Sequence, residues 1–191
     1  ASVTFACVAQ AQDLTIHVNK KGKVGFVDKN GAEVIKCAYE SAYPFSGGYA
    51  IVTKSGKSGI IDERGKVVLP LKYTSIMPWN QSLYLIKTGK IQGLASHDGK
   101  VVLPTKYSFI SKPNCYGKAL VAVGGKQSSS SDNKQYMLNA KLGIIDDNGR
   151  VLVTPKYKGV FLQYQGRISL QRRIAFVGSN SFFERHFENR L

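Results

Sequence analysis

One nine-residue pattern recurs along the chain and limits the folds it can adopt. It reads KVGFVDKNG at 23–31, KSGIIDERG at 57–65 and KLGIIDDNG at 141–149, with a looser KIQGLASHDG at 90–99. Three markers keep the same spacing in every copy: a first glycine, a second glycine six residues later, and a tyrosine eight residues after that. They are Gly25, Gly59, Gly93 and Gly143; Gly31, Gly65, Gly99 and Gly149; and Tyr39, Tyr73, Tyr107 and Tyr157. Successive first glycines are separated by 34, 34 and 50 residues. Such a period is the signature of a repeat protein, in which each unit buries its apolar face against its neighbours.

The residue types within each repeat predict strands. Helical tetratricopeptide arrays share a period of about 34 residues, but the runs after both glycines here are rich in β-branched residues, which favour strands. Further strands are expected at 14–18, 49–52, 83–86 and 119–123. Each unit is therefore predicted to be a three-stranded meander of strand, tight turn, strand, bend and strand.

The four turns read DKNG, DERG, SHDG and DDNG. Asp or Ser at the first position caps such a turn through its side-chain oxygen, and the closing Gly takes a positive φ. A recurring acid is also found in metal and acid–base sites, but one carboxylate per unit with no second ligand favours a structural role. The predicted turn residues are Asp28, Asp62, Asp146, Gly31, Gly65, Gly99 and Gly149.

These elements predict an all-β array of about four and a half units. The units lie near 21–54, 55–87, 88–138, 139–172 and, in part, 173–191, with a Ser-rich loop inserted at 124–140. We expect an open solenoid, because so few units would struggle to close; a propeller-like ring is the alternative. A capping-box pattern that begins at Ser181 predicts a short C-terminal helix over 182–191.

The N-terminus predicts export. Residues 1–11 are small, apolar and uncharged, and Val8-Ala9-Gln10-Ala11 fits a signal-peptidase site, so we interpret them as the remnant of a signal peptide. A buried first strand is the alternative. The mature chain, 12–191, is predicted to be a single domain. Export would permit a disulfide between Cys37 and Cys115, but their different positions in the repeat favour free thiols.

The charge balance favours an anionic partner. Lys and Arg number 27 against 12 Asp and Glu, giving a net charge of +15, although a solvated lysine-rich surface would have the same composition. No apolar run approaches the roughly 18 residues of a membrane span. Phosphate-loop, metal-site and nucleophile motifs are also lacking in the sequence. The chain is therefore predicted to be non-catalytic, with no metal or cofactor.

The candidate ligand-binding residues are cations beside aromatic rings. A lysine precedes three of the repeat tyrosines, and stacked units would align these pairs into a ladder suited to anionic polymers or sugars. Two further candidates lie in the arginine-rich C-terminal part. The full set is Lys72, Tyr73, Lys106, Tyr107, Lys156, Tyr157, Arg172 and Arg173. The alternative places the tyrosines in the core and the lysines as solvated groups at strand edges. Trp79 is expected to be a packing residue.

The pattern K-x-G-[FI]-[IV]-D-x-x-G-x-V-[VI], followed by P-x-[KY]-Y, resembles the WG (KWG) β-repeat of bacterial proteins over about residues 21–178. The namesake tryptophan is replaced in every unit, by Val24, Ser58, Gln92 and Leu142 in the four full copies. The resemblance implies an exported or multidomain repeat protein with no catalytic motif of its own. We therefore expect an exported binding or interaction module of the bacterial envelope, whose partner is an envelope protein or polysaccharide. The alternatives are a binder of anionic polymers, such as acidic glycan or nucleic acid, and an enzyme without a recognisable motif.

Overall fold

The structure, a computed structural model, describes residues 13–129, 135–162 and 168–171, and all regular elements in these ranges are strands. The strands are β1 Thr15–Val18, β2 Val24–Val27, β3 Glu33–Tyr39, β4 Ser41–Ala42, β5 Tyr49–Lys54, β6 Lys57–Asp62, β7 Val67–Tyr73, β8 Ser75–Pro78, β9 Leu83–Thr88, β10 Ile91–Ser96, β11 Val101–Tyr107, β12 Phe109–Ile110, β13 Lys118–Val123, β14 Lys126–Ser129, β15 Gln135–Leu138, β16 Lys141–Asp146, β17 Val151–Tyr157, β18 Gly159–Leu162 and β19 Ile168–Gln171. The predicted signal segment 1–11, the helix at 182–191 and the partial unit 173–191 lie outside the described ranges. Within those ranges, no helix has the length and apolarity needed to cross a membrane.

The sheets straddle the sequence repeats. In the sheet ordered β4-β5-β6-β7, the first two strands end one repeat and the last two begin the next. The sheets β8–β11 and β12-β13-β16-β17 follow the same plan, and β1-β2-β3 forms a three-stranded first sheet. The neighbouring strands β1–β2, β2–β3, β4–β5, β5–β6, β6–β7, β9–β10, β10–β11, β12–β13, β13–β16 and β16–β17 pair antiparallel. The all-β repeat prediction is therefore confirmed.

The three-stranded meander was too simple a prediction. The bend after the repeat tyrosine contains a short strand of its own, as where Ser41 and Ala42 pair with Thr53 and Val52. This short strand satisfies backbone groups that a bend would leave to solvent, so the full sheets have four strands. The insert at 124–140, predicted as a loop, also contains strands, because β14 pairs with β15.

The chain divides into two compact units. One comprises residues 1–76 and 97–100, and the other comprises residues 77–96 and 101–191. We refer to them as unit 1 and unit 2. The core of unit 1 is built from Leu14, Phe26, Ile35, Ala50, Val52 and Ile61. The core of unit 2 contains Trp79, Leu83, Leu85, Leu94, Leu103, Tyr107, Ile110, Ala119, Val121 and Ile145. Each core draws on more than one repeat, as expected where single repeats cannot bury their own faces.

The turn acid organises its turn by accepting backbone hydrogen bonds. Asp28 Oδ1 accepts from the N–H of Asn30 at 2.8 Å and of Ala32 at 2.9 Å, while the N–H of Gly31 donates to the Asp28 carbonyl oxygen at 3.0 Å. Asp62 and Asp146 make the same set of contacts. Asn19 and Asn114 form the same turn at positions that lie outside the nine-residue repeat pattern. The turn therefore needs a side-chain oxygen and not a negative charge.

The first glycine of each repeat allows a close approach between strands. Between the pairs Ser58–Tyr73 and Ile60–Leu69, the three residues 70–72 of β7 lie opposite the single residue Gly59 of β6. A Cβ built on Gly59 would lie 2.7 Å from the Leu69 carbonyl oxygen and 2.9 Å from the Leu71 nitrogen. Gly25, Gly93 and Gly143 face their partner strands in the same way. This glycine is required because the irregular stretch of the partner strand passes directly over it.

Candidate functional site

The three predicted lysine–tyrosine pairs have the same local geometry. The Nζ atom of Lys72 lies 5.6 Å from the ring centroid of Tyr73, and the Lys106–Tyr107 distance is also 5.6 Å. The Lys156–Tyr157 distance is 5.4 Å. In each pair an exposed ammonium group lies over its neighbour's ring within the range of a cation–π contact.

The rings themselves are in the core. Tyr73 is 3% exposed, Tyr107 is 1% exposed and Tyr157 is 8% exposed. Burial accordingly raises the pKa of the Tyr73 and Tyr107 hydroxyls. The pairs therefore present lysine ammonium groups to solvent, with the rings beneath them. Arg172 and Arg173, the other two candidate residues, lie outside the described part of the chain.

A polar cavity of about 310 Å³ lies in unit 2 and was not predicted from the sequence. Three loops form it: the β8–β9 loop, the β12–β13 loop and the β16–β17 turn. Its lining residues are Asn80, Gln81, Ser82, Pro113, Asn114, Cys115, Gly117, Asp147 and Asn148. The third loop is a repeat turn, and Asn114 opens another turn of the same type. The cavity therefore lies where two such turns and one further loop of unit 2 converge.

Hydrogen bonds fix the loops around the cavity. The amide Nδ2 of Asn80 donates to the carbonyl oxygen of Asp147 at 2.7 Å, joining two loops that are 67 residues apart. The other end of the same amide, Oδ1, accepts from the N–H groups of Ser82 and Leu83. Because one side chain holds both loops, the cavity is organised before any ligand arrives.

The side-chain chemistry of the cavity favours a ligand rich in hydroxyl or amide groups. Amides, a serine hydroxyl and one carboxylate line it, and Asp147 is the only formally charged residue among the described residues of the lining. The Asp147 carboxylate accepts from Asn148 Nδ2 at 3.2 Å and lies against Gly117. A carboxylate among neutral donors and acceptors suits a neutral or cationic ligand, whereas it repels an anion.

Groups of three or more His, Cys, Asp or Glu residues placed to hold a metal are not found within the described ranges. The cavity contains one acid and one thiol, Asp147 and Cys115. We assign these residues no role as metal ligands.

A family model described as WG containing repeat matches the chain four times, at residues 25–57, 59–90, 93–126 and 143–168. Each match begins at the first glycine of a repeat, and together they cover well over half of the chain. The resemblance inferred from the sequence is thereby confirmed. No curated protein matches the chain.

Proposed function

The chain belongs to the family of WG containing repeats, and we propose that it is a non-catalytic binding module exported to the bacterial cell envelope. A repeat scaffold of this kind presents loops and faces to partners without contributing a catalytic motif. The partner we propose is an envelope polysaccharide, with an envelope protein as the alternative. Export is supported by the signal-like sequence at 1–11.

The observation that carries this proposal is the polar cavity of unit 2. Its lining of amides, hydroxyl and one carboxylate matches the hydrogen-bonding groups of a sugar, and the Asn80–Asp147 bond holds its loops in place. A volume of about 310 Å³ is at the lower end of the range for small-ligand sites. We therefore expect it to accept one or two residues of a longer glycan.

The test is a binding titration of the mature chain, residues 12–191, with neutral glycans and purified peptidoglycan fragments. The variant is Asp147→Asn, which removes the charge and keeps an oxygen to accept from Asn148. The matched control is Glu63→Gln, because Glu63 occupies the same position of its repeat turn as Asp147 but lies outside the cavity. We expect Asp147→Asn to weaken binding by about ten-fold, the loss of one charged hydrogen bond, and Glu63→Gln to leave it unchanged. Equal affinities for all three proteins would place the glycan elsewhere.

A second candidate function, the binding of an anionic polymer, is favoured by the exposed lysines over Tyr73, Tyr107 and Tyr157. In this case the ammonium groups would contact phosphates or uronic acids. Affinity for DNA or an acidic glycan would then fall steeply as salt rises. Lys106→Gln should reduce the magnitude of the slope of log K against log salt by about 0.9, the contribution of one phosphate contact. Lys141→Gln is the control, at an exposed lysine whose sequence neighbours, Ala140 and Leu142, are not aromatic.

If binding to every acidic polymer disappears at physiological salt, the net charge of +15 causes only a non-specific attraction. Catalysis at a site without a known motif is the third alternative. Incubating the bound glycan with the chain and determining its mass would distinguish it, because turnover changes the mass of the glycan and binding does not.

A further inference from the structure

The second glycine of each repeat makes a contact that joins consecutive repeats. A Cβ built on Gly65 would lie 3.5 Å from the side chain of Ile35, which belongs to the preceding repeat. The same construction on Gly99 meets the Val68 carbonyl oxygen at 2.5 Å, and on Gly149 it meets Val102 Cγ1 at 2.8 Å. In all three cases, the repeat turn packs on the second strand of the repeat before it. The contact has two halves, which we call the turn half and the strand half.

The first repeat turn, Asp28 to Ala32, leaves its turn half unused. Its hydrogen bonds match those of the later turns, and Gly31 has a φ of 82°, close to the 77° of Gly65. A Cβ built on Gly31 would nevertheless meet no atom of the described residues within 4 Å. This turn therefore has the geometry of the contact but does not make it with any described residue.

Among the described residues, the strand half at β17 is less covered than it is in the earlier repeats. The apolar residue ten positions after the first glycine is buried in the three earlier repeats, at Ile35, Leu69 and Leu103, with exposures of 5%, 1% and 3%. Its counterpart in β17, Val153, is only half-buried. The preceding residue is half-buried in the second and third repeats, at Val68 and Val102, and exposed in the first and fourth, at 39% for Val34 and 45% for Leu152.

We propose that a second copy of this chain covers β17, with Asp28 to Ala32 of that copy packing on Leu152 and Val153. The occupant is inferred from the contact itself. Both halves are present in one chain, and the same pairing of turn and strand occurs three times inside it. Because the two halves are different surfaces, the association is head-to-tail and continues beyond a dimer. Apolar contact drives it, and the +15 charge on each copy opposes it, so salt strengthens it by screening the repulsion. This salt dependence is opposite in sign to that of anionic-polymer binding.

The test is the mass of the full chain against concentration, measured by sedimentation at low and high salt. Leu152→Glu places a charge in the strand half, and Val67→Glu is its control on another exposed apolar residue of a second strand. Gly31→Asn blocks the turn half with a residue that tolerates positive φ. Its control is Gly22→Asn, in the Asn19 turn, where a Cβ also meets nothing within 4 Å. We expect each blocking variant to lower the association constant by about ten-fold or more, since a buried charge or a lost packing contact costs at least that much, and each control to behave as the wild type.

A mixture of the two blocking variants gives the sharpest outcome. Gly31→Asn keeps a free strand half and Leu152→Glu keeps a free turn half. At a concentration where each variant alone is monomeric, an equal mixture should therefore form dimers and stop there. A wild-type chain that is monomeric at every concentration and salt would overturn the proposal. The proposal would also be overturned if, in monomeric protein, Leu152→Glu lowered the melting temperature more than Val67→Glu. That result would mean that β17 is covered within its own chain.

Discussion

Trp79 donates its indole N–H to the carbonyl oxygen of Ser111 at 2.8 Å, with its ring only 2% exposed. The ring packs in the core of unit 2 with Leu83 and Leu85. Lys112, next to Ser111, donates its Nζ to the carbonyl oxygens of Pro78 and Trp79, at 2.6 Å and 2.7 Å. The β8–β9 and β12–β13 loops, which also line the polar cavity, are thus joined to each other from within the fold. The burial of Trp79 agrees with the packing role expected from the sequence.

Replacing Trp79 by Phe should destabilise the chain by about 1–3 kcal/mol. The smaller ring leaves a cavity, and the Ser111 carbonyl loses its donor. Urea unfolding followed by circular dichroism would measure the change, since the variant has no tryptophan to report by fluorescence. An unchanged midpoint would mean that the Trp79–Ser111 bond and the larger ring contribute no net stability.

Two carboxylates should make stability depend on acid pH. Backbone hydrogen bonds from Ala32 and Asn30 lower the pKa of Asp28, and those from Gly56 and Ser55 lower the pKa of Glu40. A lowered pKa means that the fold prefers the ionised form. The stabilisation is therefore complete above the ordinary carboxyl pKa, near 4, and is lost as pH falls through the lower value of the folded state.

Asp28→Asn should flatten the decline in stability in this acidic range. The variant keeps the turn, because Asn19 and Asn114 already form the same turn with an amide oxygen. Urea midpoints measured from neutral pH to pH 2 would show the difference, with Glu63→Gln as the control for loss of one negative charge. A variant as acid-sensitive as the wild type would assign the acid transition to other groups.

Gly59→Ala should destabilise the sheet β4–β7 by about 1–3 kcal/mol. Its added methyl group would meet the Leu69 carbonyl oxygen at 2.7 Å and the Leu71 nitrogen at 2.9 Å, and backbone atoms cannot move aside as a side chain can. Leu71 Cγ is also close, at 2.8 Å. Thermal unfolding of Gly59→Ala with and without Leu71→Ala separates these causes. Rescue by Leu71→Ala would show that the side chain, and not the strand backbone, demands glycine at this position.

Sequence and structure agree where the determining interactions are local. The repeat strands and the Asp28, Asp62 and Asp146 turns follow from residue types a few positions apart, so the pattern could predict them. The lysine–tyrosine pairs were predictable as neighbours, and each ammonium group does lie near its neighbour's ring. Tyr107 is nevertheless buried while Lys106 is exposed, so adjacency alone did not imply that both side chains are available to a ligand.

Features that join distant residues could not be predicted. The cavity brings together loops near residues 80, 114 and 147. Asn80 and Asn114 are 34 residues apart, the repeat spacing, but nothing in the repeat pattern indicates that these two bends meet the turn near residue 147. Glu40 accepts hydrogen bonds from the N–H groups of Ser55 and Gly56 across separations of 15 and 16 residues. One weak signal was available: Asn114-Cys115-Tyr116-Gly117 has the form of a repeat turn outside the repeat register.

The two free thiols in the described ranges should react at different rates. Cys115 is exposed at the edge of the polar cavity, whereas Cys37 is half-buried. Burial raises the pKa of the Cys37 thiol, and the neighbouring Glu33 carboxylate raises it further, so less thiolate is present at a given pH.

In a Cys7→Ser background, a disulfide reagent at mildly alkaline pH should therefore label Cys115 first. Glu33→Gln should speed the labelling of Cys37 and leave Cys115 unchanged, with Glu63→Gln as the charge-matched control. If both thiols are labelled at the same rate, burial and Glu33 do not control their reactivity. If neither thiol is labelled, both are oxidised in solution.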